Sequence, residues 1–312
     1  MSVFTSVGRE QLEAFLVTYD LGSLKEFAGI SDGIVNTNYF VTTEAGRFVL
    51  TLFEELNADE LPYFIELMRF ASDQQVPCAQ PISDKNGRYL RELCGKPALV
   101  VERLQGRGVD RPTIAQCAAI GDALGRLHDI GRRFGHRRQT DHGAAWHTET
   151  AEKVLTVIDG DDAGLLESEM QYHQSNNYDS LPFGLTHGDL FRDNALFDGD
   201  KLGGIIDFYY ACDFILLHDL AVVINDWCVT EDGEIDVLRM DSLISAYQQH
   251  RKISDEEAGY FSAMLRAAAL RYWLSRLYDL HFPRAGEITH AKDPNHFRRI
   301  LQLRVASHPA QI

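Results

Sequence analysis

The chain is predicted to be an α+β protein of two lobes: a small N-terminal antiparallel sheet carrying one helix, and a larger, mainly helical C-terminal part. Three observations predict this. Its 312 residues, 45% apolar and 24% charged, are enough for two lobes with a sizeable core. Up to about residue 104, short β-like runs bounded by turn residues dominate, whereas beyond it apolar residues recur at helical spacing. The change falls at Gln105-Gly106-Arg107-Gly108, which reads as a hinge or its exit, so the lobes are assigned to 1–104 and 105–312.

In chain order, Leu12, Phe15, Leu16 and Tyr19 fall at helical spacing and predict a helix over 9–19. After Asp20 the pattern turns to strands around 38–42 and 48–53, joined by a hairpin turn at Glu44-Ala45-Gly46. A helix follows over about 59–72, and after the breakers Pro77 and Pro81 come strands over 87–93 and 97–104. In the second lobe Ile114, Cys117, Gly121, Leu124 and Leu127 mark a helix. A polar stretch from about 159 to 179 is expected to separate helices, and the chain from Leu216 onward reads as mostly helical. No internal repeat or low-complexity tract is seen.

Composition excludes several function classes. The five cysteines, at 78, 94, 117, 212 and 228, are odd in number and form no Cys-x-x-Cys pair, so neither a disulfide framework nor a zinc knuckle is indicated. A reducing cytoplasm is the simplest setting. The N-terminus shows no basic start followed by an apolar core, and no apolar run approaches the roughly 20 residues of a membrane helix, so secretion and membrane spanning are not expected. A net charge of −16, with arginines scattered among acids, argues against nucleic acid, which needs a basic stripe. It leaves ATP open, because a metal ion and backbone amides neutralise phosphates locally.

Chemistry concentrates in His187-Gly188-Asp189-Leu190-Phe191-Arg192-Asp193-Asn194 and the following Gly204-Ile205-Ile206-Asp207-Phe208. A hydroxyl attacking the γ-phosphate of ATP needs a carboxylate to take its proton and oxygen ligands to hold Mg²⁺ across the phosphates. Asp189 is the candidate base, Asn194 and Asp207 the candidate metal ligands. The five-residue interval from Asp189 to Asn194 lets a short loop turn both side chains to one cavity, and the apolar run ending at Ile206 reads as a strand delivering Asp207 beside them. One carboxylate, one amide, phosphates and waters suit Mg²⁺ better than zinc. A lone His-Gly-Asp is more often a turn; the joint pattern is what points to phosphoryl transfer. His187 is expected to hold loop geometry, and His128 to be structural.

Here the chain resembles the aminoglycoside phosphotransferase and choline kinase superfamily, whose members carry His-Gly-Asp-x-x-x-x-Asn on a protein-kinase-like bilobal fold. Within it, four stretches look most like the homoserine kinases: Gly29-Ile30 through Asn36-Thr37-Asn38-Tyr39-Phe40, Gly46 to Leu52, Asp207 to Cys212, and Leu220-Ala221 through Asn225-Asp226-Trp227-Cys228. The resemblance implies an ATP- and Mg²⁺-dependent kinase acting on a small hydroxylated amino acid, L-homoserine, to give O-phospho-L-homoserine for threonine synthesis. It implies nucleotide binding between the lobes. Gly29, Gly33, Asn36 and Asn38 would cover the phosphates, although an ordinary hairpin turn has the same composition. Adenine would lie along 98–104, with backbone groups near Glu102 and Leu104 as hinge partners.

One position departs from the pattern. Where most members of the superfamily end the strand over 48–53 with a phosphate-pairing lysine, this chain has Thr51. Arg47 shares that strand face but stands four residues away, about 13 Å at strand rise. Glu66 is the helix acid that would pair with such a lysine.

Homoserine presents a carboxylate, an ammonium and the reacting hydroxyl, so its pocket needs a guanidinium and an acid. Asp226 and Arg271 are the candidates, and Arg192, inside the catalytic loop, is a third that could meet phosphate. The competing reading makes Arg271 and Arg276 ion-pair residues on an amphipathic helix whose Leu270, Trp273, Leu274 and Leu277 pack inward. Two other functions stay open: a kinase for an aminoglycoside, choline or related amino alcohol, and a non-catalytic nucleotide-binding regulator. No P-loop, His-Glu-x-x-His or Gly-x-Ser-x-Gly motif is present.

Overall fold

A computed structural model describes residues 4–30, 35–283 and 292–307. The chain divides into two compact units, Met1–Gly106 with Gly203–Ile206, and Arg107–Leu202 with Asp207–Ile312.

The first unit opens with α1 (Arg9–Leu16) and then builds a sheet from β1 (Leu24–Gly29), β2 (Thr37–Thr43), β3 (Arg47–Leu52), β4 (Leu90–Leu93) and β5 (Lys96–Glu102), in the order β1-β2-β3-β5-β4. All its pairs are antiparallel. Period-two alternation decides the faces. Tyr39, Val41, Phe48, Leu50, Leu52, Ala98 and Val100 join Leu12, Phe15 and Leu16 of α1 in one core. Asn38, Phe40, Val49 and Thr51 point the other way, with Asn38 directly opposite Thr51. The helix α2 (Leu61–Asp73) starts with Pro62 in its first turn, where a missing N–H costs nothing. Residues 203–206 join this unit because Ile205 N–H donates to the Pro77 carbonyl at 2.8 Å. Gly204 makes that approach possible: a Cβ there would meet Leu104 Cδ1 at 2.7 Å and the Pro77 carbonyl at 3.2 Å.

The second unit is mainly helical. Its α3 (Ile114–Gly131) begins with a reciprocal cap between Thr113 and Gln116. Next come α4 (Ala144–Val154) and α5 (Gly160–Ser175). The helix α5 corrects the expectation of a polar separator over 159–179. Only Leu166 and Glu169 of α5 are buried, so it carries almost no amphipathic signal. Glu169 holds it in place by accepting from Arg266 at 2.6 and 3.0 Å.

Then β6 (Phe183–Thr186) pairs antiparallel with β9 (Cys212–Ile215), with Thr186 opposite Cys212. Between them lie a 3-10 turn at Arg192–Asn194, the hairpin of β7 (Ala195–Asp198) and β8 (Lys201–Ile205), and a second 3-10 turn at Phe208–Tyr210. The chain closes with α6 (Leu216–Trp227), α7 (Val237–Tyr247), α8 (Asp255–His281) and α9 (Pro294–Ala306). The 27-residue α8, about 40 Å long, is capped by Ser254 and Glu257 and is buried on most sides between Phe261 and Leu277. Among the described residues no helix is long and apolar enough to cross a membrane.

Candidate active site

The β6–β9 register builds the site. Because Thr186 lies opposite Cys212, the segment leaving β6 at His187 and the segment entering β9 from Asp207 emerge at the same end of the ribbon. They are in contact: Gly188 takes φ +77°, and a Cβ there would lie 2.7 Å from the Tyr210 carbonyl. A side chain is therefore excluded twice, by conformation and by space.

Asp219, in the first turn of α6, fixes this loop. Its Oδ2 accepts from His187 N–H at 2.8 Å and its Oδ1 from Gly188 N–H at 2.9 Å. Oδ2 also lies 3.0 Å from Nε2 of buried His128, whose Nδ1 meets the Tyr247 hydroxyl at 2.8 Å. Arg251 donates to that hydroxyl and pairs with Glu257 at 2.6 Å. Burial opposes ionisation of Asp219, but the bonds from His128 and His187 outweigh it and hold the carboxyl below its usual range. His187 is fully buried, stacks on Phe208 at 4.7 Å, and accepts from Asp189 N–H through Nδ1 at 3.3 Å.

The three residues read as a catalytic set come together in this unit. Asn194 Nδ2 donates to the Asp189 carbonyl at 2.9 Å and to Asp189 Oδ2 at 3.1 Å, leaving Asn194 Oδ1 without a donor among the described residues. Asp207 adopts the left-handed conformation, φ 63° and ψ 59°, which a non-glycine residue holds only when its surroundings impose it. Desolvation, then the charge of Asp207, pushes Asp189 up to about 7 against the opposing charges of Arg271 and Lys292. Desolvation likewise pushes Asp207 up to about 6, opposed by the Tyr209 N–H. Neither carboxylate forms an ion pair with a described Lys or Arg.

Asp189 and Asp207, near enough for the charge of Asp207 to raise Asp189 and without a Lys or Arg ion pair among the described residues, together with the Asn194 amide held on Asp189, fit a hard divalent cation. Among the described residues no three His, Cys, Asp or Glu side chains form a metal site by themselves. Phosphate oxygens would have to complete the shell.

The acceptor candidates separate. Arg192 and Asp226 are spent on each other, with Arg192 Nε and N–H donating to Asp226 Oδ2 at 3.1 and 2.8 Å while Arg192 Nη1 reaches the Asp110 carbonyl. Arg271 is 8% exposed and lines a cavity with His142, Gly188, Tyr210 and His218. It stacks over the Tyr272 ring at 4.2 Å and forms no ion pair with a described residue. Arg276 instead donates to the Asp293 carbonyl and stacks on Phe297.

Of the nucleotide candidates, Gly33 lies outside the described residues, and the rest sit in the first unit. Gly29 ends β1. Asn36 Oδ1 accepts from Glu54 N–H at 3.4 Å, and Asn38 Oδ1 accepts from Thr51 Oγ1 at 2.7 Å. At the strand position where most of the superfamily carries a lysine, the sheet thus has a closed neutral pair. Glu66 pairs with Arg69, three residues along the same helix. Glu102 N–H donates to the Gln80 carbonyl at 2.9 Å, whereas Leu104 N–H has no partner among the described residues.

Sequence reasoning missed Asp219, Tyr272, His142 and His218. Only Asp219 left a trace, as an acid inside the apolar run Leu216 to Ile224, where a buried carboxylate demands partners.

Comparison with known proteins identifies the family of the chain. The model of the phosphotransferase enzyme family matches residues 26–253. The chain is 48% identical to a homoserine kinase from Methylobacillus flagellatus, covering 98% of this chain and 96% of that one. It is 44% identical to a homoserine kinase from Neisseria meningitidis serogroup B, over 96% and 99%. Solved structures of an amicoumacin kinase (TM-score 0.72, 16% identity, 96% and 92% covered) and of a spectinomycin phosphotransferase (0.72, 14%, 97% and 99%) share its fold. The chain belongs to the phosphotransferase enzyme family, alongside these homoserine kinases.

Proposed function

We propose that this protein is an ATP-dependent homoserine kinase, forming O-phospho-L-homoserine in the cytoplasm as a step toward threonine. The observation that carries the reading is the placement of the Asp189–Asn194 pair in one unit with a cavity that Gly188 shares with Arg271, a cation without an ion pair among the described residues. The relatives named homoserine kinase over nearly their whole length support the acceptor. The amicoumacin kinase, solved with AMP-PNP and Ca²⁺, supports nucleotide and divalent cation. Five free cysteines support the compartment.

In this reading Asp189 takes the proton from the acceptor hydroxyl as its oxygen bonds to the γ-phosphorus, and the bond to the β–γ bridging oxygen breaks to release ADP. Asn194 Oδ1 and the Asp207 carboxylate would hold Mg²⁺, which when bound supplies charge neutralisation across the phosphates. Arg271 receives the acceptor carboxylate. The neutral Thr51–Asn38 pair and the free Leu104 N–H are the nucleotide contacts of the first unit, with Gly29 and Asn36 near the phosphates. An aminoglycoside site would need several available acids. The one acid lining the cavity, Asp219, is saturated by His128, His187 and Gly188.

The test is ADP release with ATP and Mg²⁺ across L-homoserine, L-serine, choline, ethanolamine and an aminoglycoside, repeated with Asp189→Asn. L-Homoserine should be preferred, and the variant should lose about 10²-fold or more in kcat while still binding ATP. Turnover of another acceptor alone discards homoserine, and a fully active variant discards Asp189 as base.

A further inference from the structure

The cavity that holds Arg271 is also lined by two imidazoles, His142 and His218. His142 comes from the segment between α3 and α4, with its ring 4.7 Å from Trp146 and 6.0 Å from Tyr210. His218 is in the first turn of α6, edge-on to Phe214 at 5.1 Å. Both residues are half-buried, and their ring nitrogens make no hydrogen bond to a described residue, so they remain available to a ligand. Burial, with the charge of Arg271 adding to it, holds both well below the ordinary histidine range, at about 3. Each ring is therefore neutral at pH 7 and offers one lone pair and one N–H.

The charge balance of the cavity is one-sided. Arg271 is a buried cation stacked on an aromatic ring, and among the described residues its one hydrogen bond is a long contact of 3.5 Å to Ser275. A ligand carboxylate satisfies it. An ammonium on the same ligand then needs an acceptor that is not already used, and Asp219 does not qualify. Of the remaining polar groups in the lining, the hydroxyls of Thr140 and Tyr210 are weaker bases than the two imidazoles, whose nitrogen lone pairs are the better acceptors for an ammonium.

We propose that His142 and His218 are specificity-determining residues, whose ring nitrogens receive the α-ammonium of an amino-acid acceptor whose carboxylate lies on Arg271. This rests on the reading of the acceptor as homoserine. Uncharged acceptors at the ammonium end have a selective consequence. They add hydrogen bonds without adding negative charge, so a diamine or polyamine gains nothing there and is repelled by Arg271.

The experiment compares kcat/KM for L-homoserine, 4-hydroxybutanoate, which lacks the ammonium, and 3-aminopropan-1-ol, which lacks the carboxylate. Wild-type enzyme should prefer homoserine over either by about tenfold or more, the worth of one hydrogen bond to a charged group. His142→Ala and His218→Ala should each shrink the preference over 4-hydroxybutanoate by about fivefold or more while keeping the preference over 3-aminopropan-1-ol. Arg271→Ala should do the reverse. His142→Gln and His218→Gln retain an acceptor oxygen and should restore part of the lost preference, which separates recognition from misfolding. Equal loss on homoserine and 4-hydroxybutanoate in all four histidine variants overturns the assignment. Wild-type enzyme that ignores homoserine altogether overturns the acceptor reading itself, and the histidine assignment falls with it.

Discussion

The Tyr272 hydroxyl stands 3.2 Å from Asp189 Oδ1 and 2.6 Å from the carbonyl of Gly188, the residue before it. Tyr272 is buried in α8, its ring edge-on to Phe191 at 4.6 Å and against Phe297 at 5.3 Å. Burial raises its pKa far above the ordinary tyrosine value, so the hydroxyl keeps its proton. It thus sets the backbone and the side chain of the proposed base together.

Tyr272→Phe should lower kcat by about tenfold or more with both KM values within about twofold, because the substrates still bind but the carboxylate is no longer aimed. Steady-state kinetics decides this, and a loss confined to KM assigns the hydroxyl to binding. The orphaned Gly188 carbonyl should also cost about 1–3 kcal/mol in a urea titration.

Asp219→Ala removes the acceptor for two buried N–H groups and for His128, and should destabilise the chain by about 3 kcal/mol or more. Asp219→Asn keeps one acceptor oxygen and should lose less. Equal denaturation midpoints for Asp219→Ala and wild type would remove the network from the folding argument.

Cation affinity should depend on pH through the two raised carboxylates. With Asp207 at about 6 and Asp189 at about 7, protons compete with Mg²⁺–nucleotide below neutrality, so affinity should rise by up to about a hundredfold from pH 5.5 to 7.5 if both carboxylates must be ionised, with proton release on binding. The sign for folding is opposite to ordinary acid lability. Metal-free folded chain binds protons on these groups that the unfolded chain does not, so their contribution is present at low pH and lost as pH rises through about 6 to 7. Calorimetry in two buffers reads the proton release, and Asp207→Asn should flatten the affinity profile. A wild-type affinity that is flat across this range contradicts the prediction.

Gly121 and Gly125 let α3 meet α7 backbone to backbone. A Cβ at Gly121 would sit 2.1 Å from the Leu243 carbonyl oxygen, and one at Gly125 2.6 Å from that of Tyr247. Gly121→Ala should therefore cost about 3 kcal/mol, more than any helix-propensity gain returns. A denaturant midpoint unchanged from wild type would mean the helices separate freely.

Local sequence was sufficient for features that are themselves local. Asp189, Asn194 and Asp207 lie within 19 residues of chain, on a loop and hairpin whose turn chemistry is visible in Gly188 and Gly199, and the β2–β3 hairpin announces itself through alternation. Period-two and helical spacing likewise separated the sheet-bearing unit from the helical one. The return of residues 203–206 to the first unit and the helix α5 had no such signal, because each is held by contacts distant in sequence, Ile205 with Pro77 and Glu169 with Arg266.

The same reason divides the site. The sequence by itself determined that Asp189 and Asn194 share one short loop with Asp207 close behind, since that placement is set by spacing along the chain. Tertiary structure alone decided that Arg271 is buried without an ion pair among the described residues while Arg192 and Asp226 satisfy each other, that Thr51 closes on Asn38, and that Asp219, Tyr272, His142 and His218 surround the loop. Tyr272 reaches Asp189 across 83 residues of chain. Burial and hydrogen-bond partnership at that separation depend on which helix faces pack together, and no spacing along the chain encodes that.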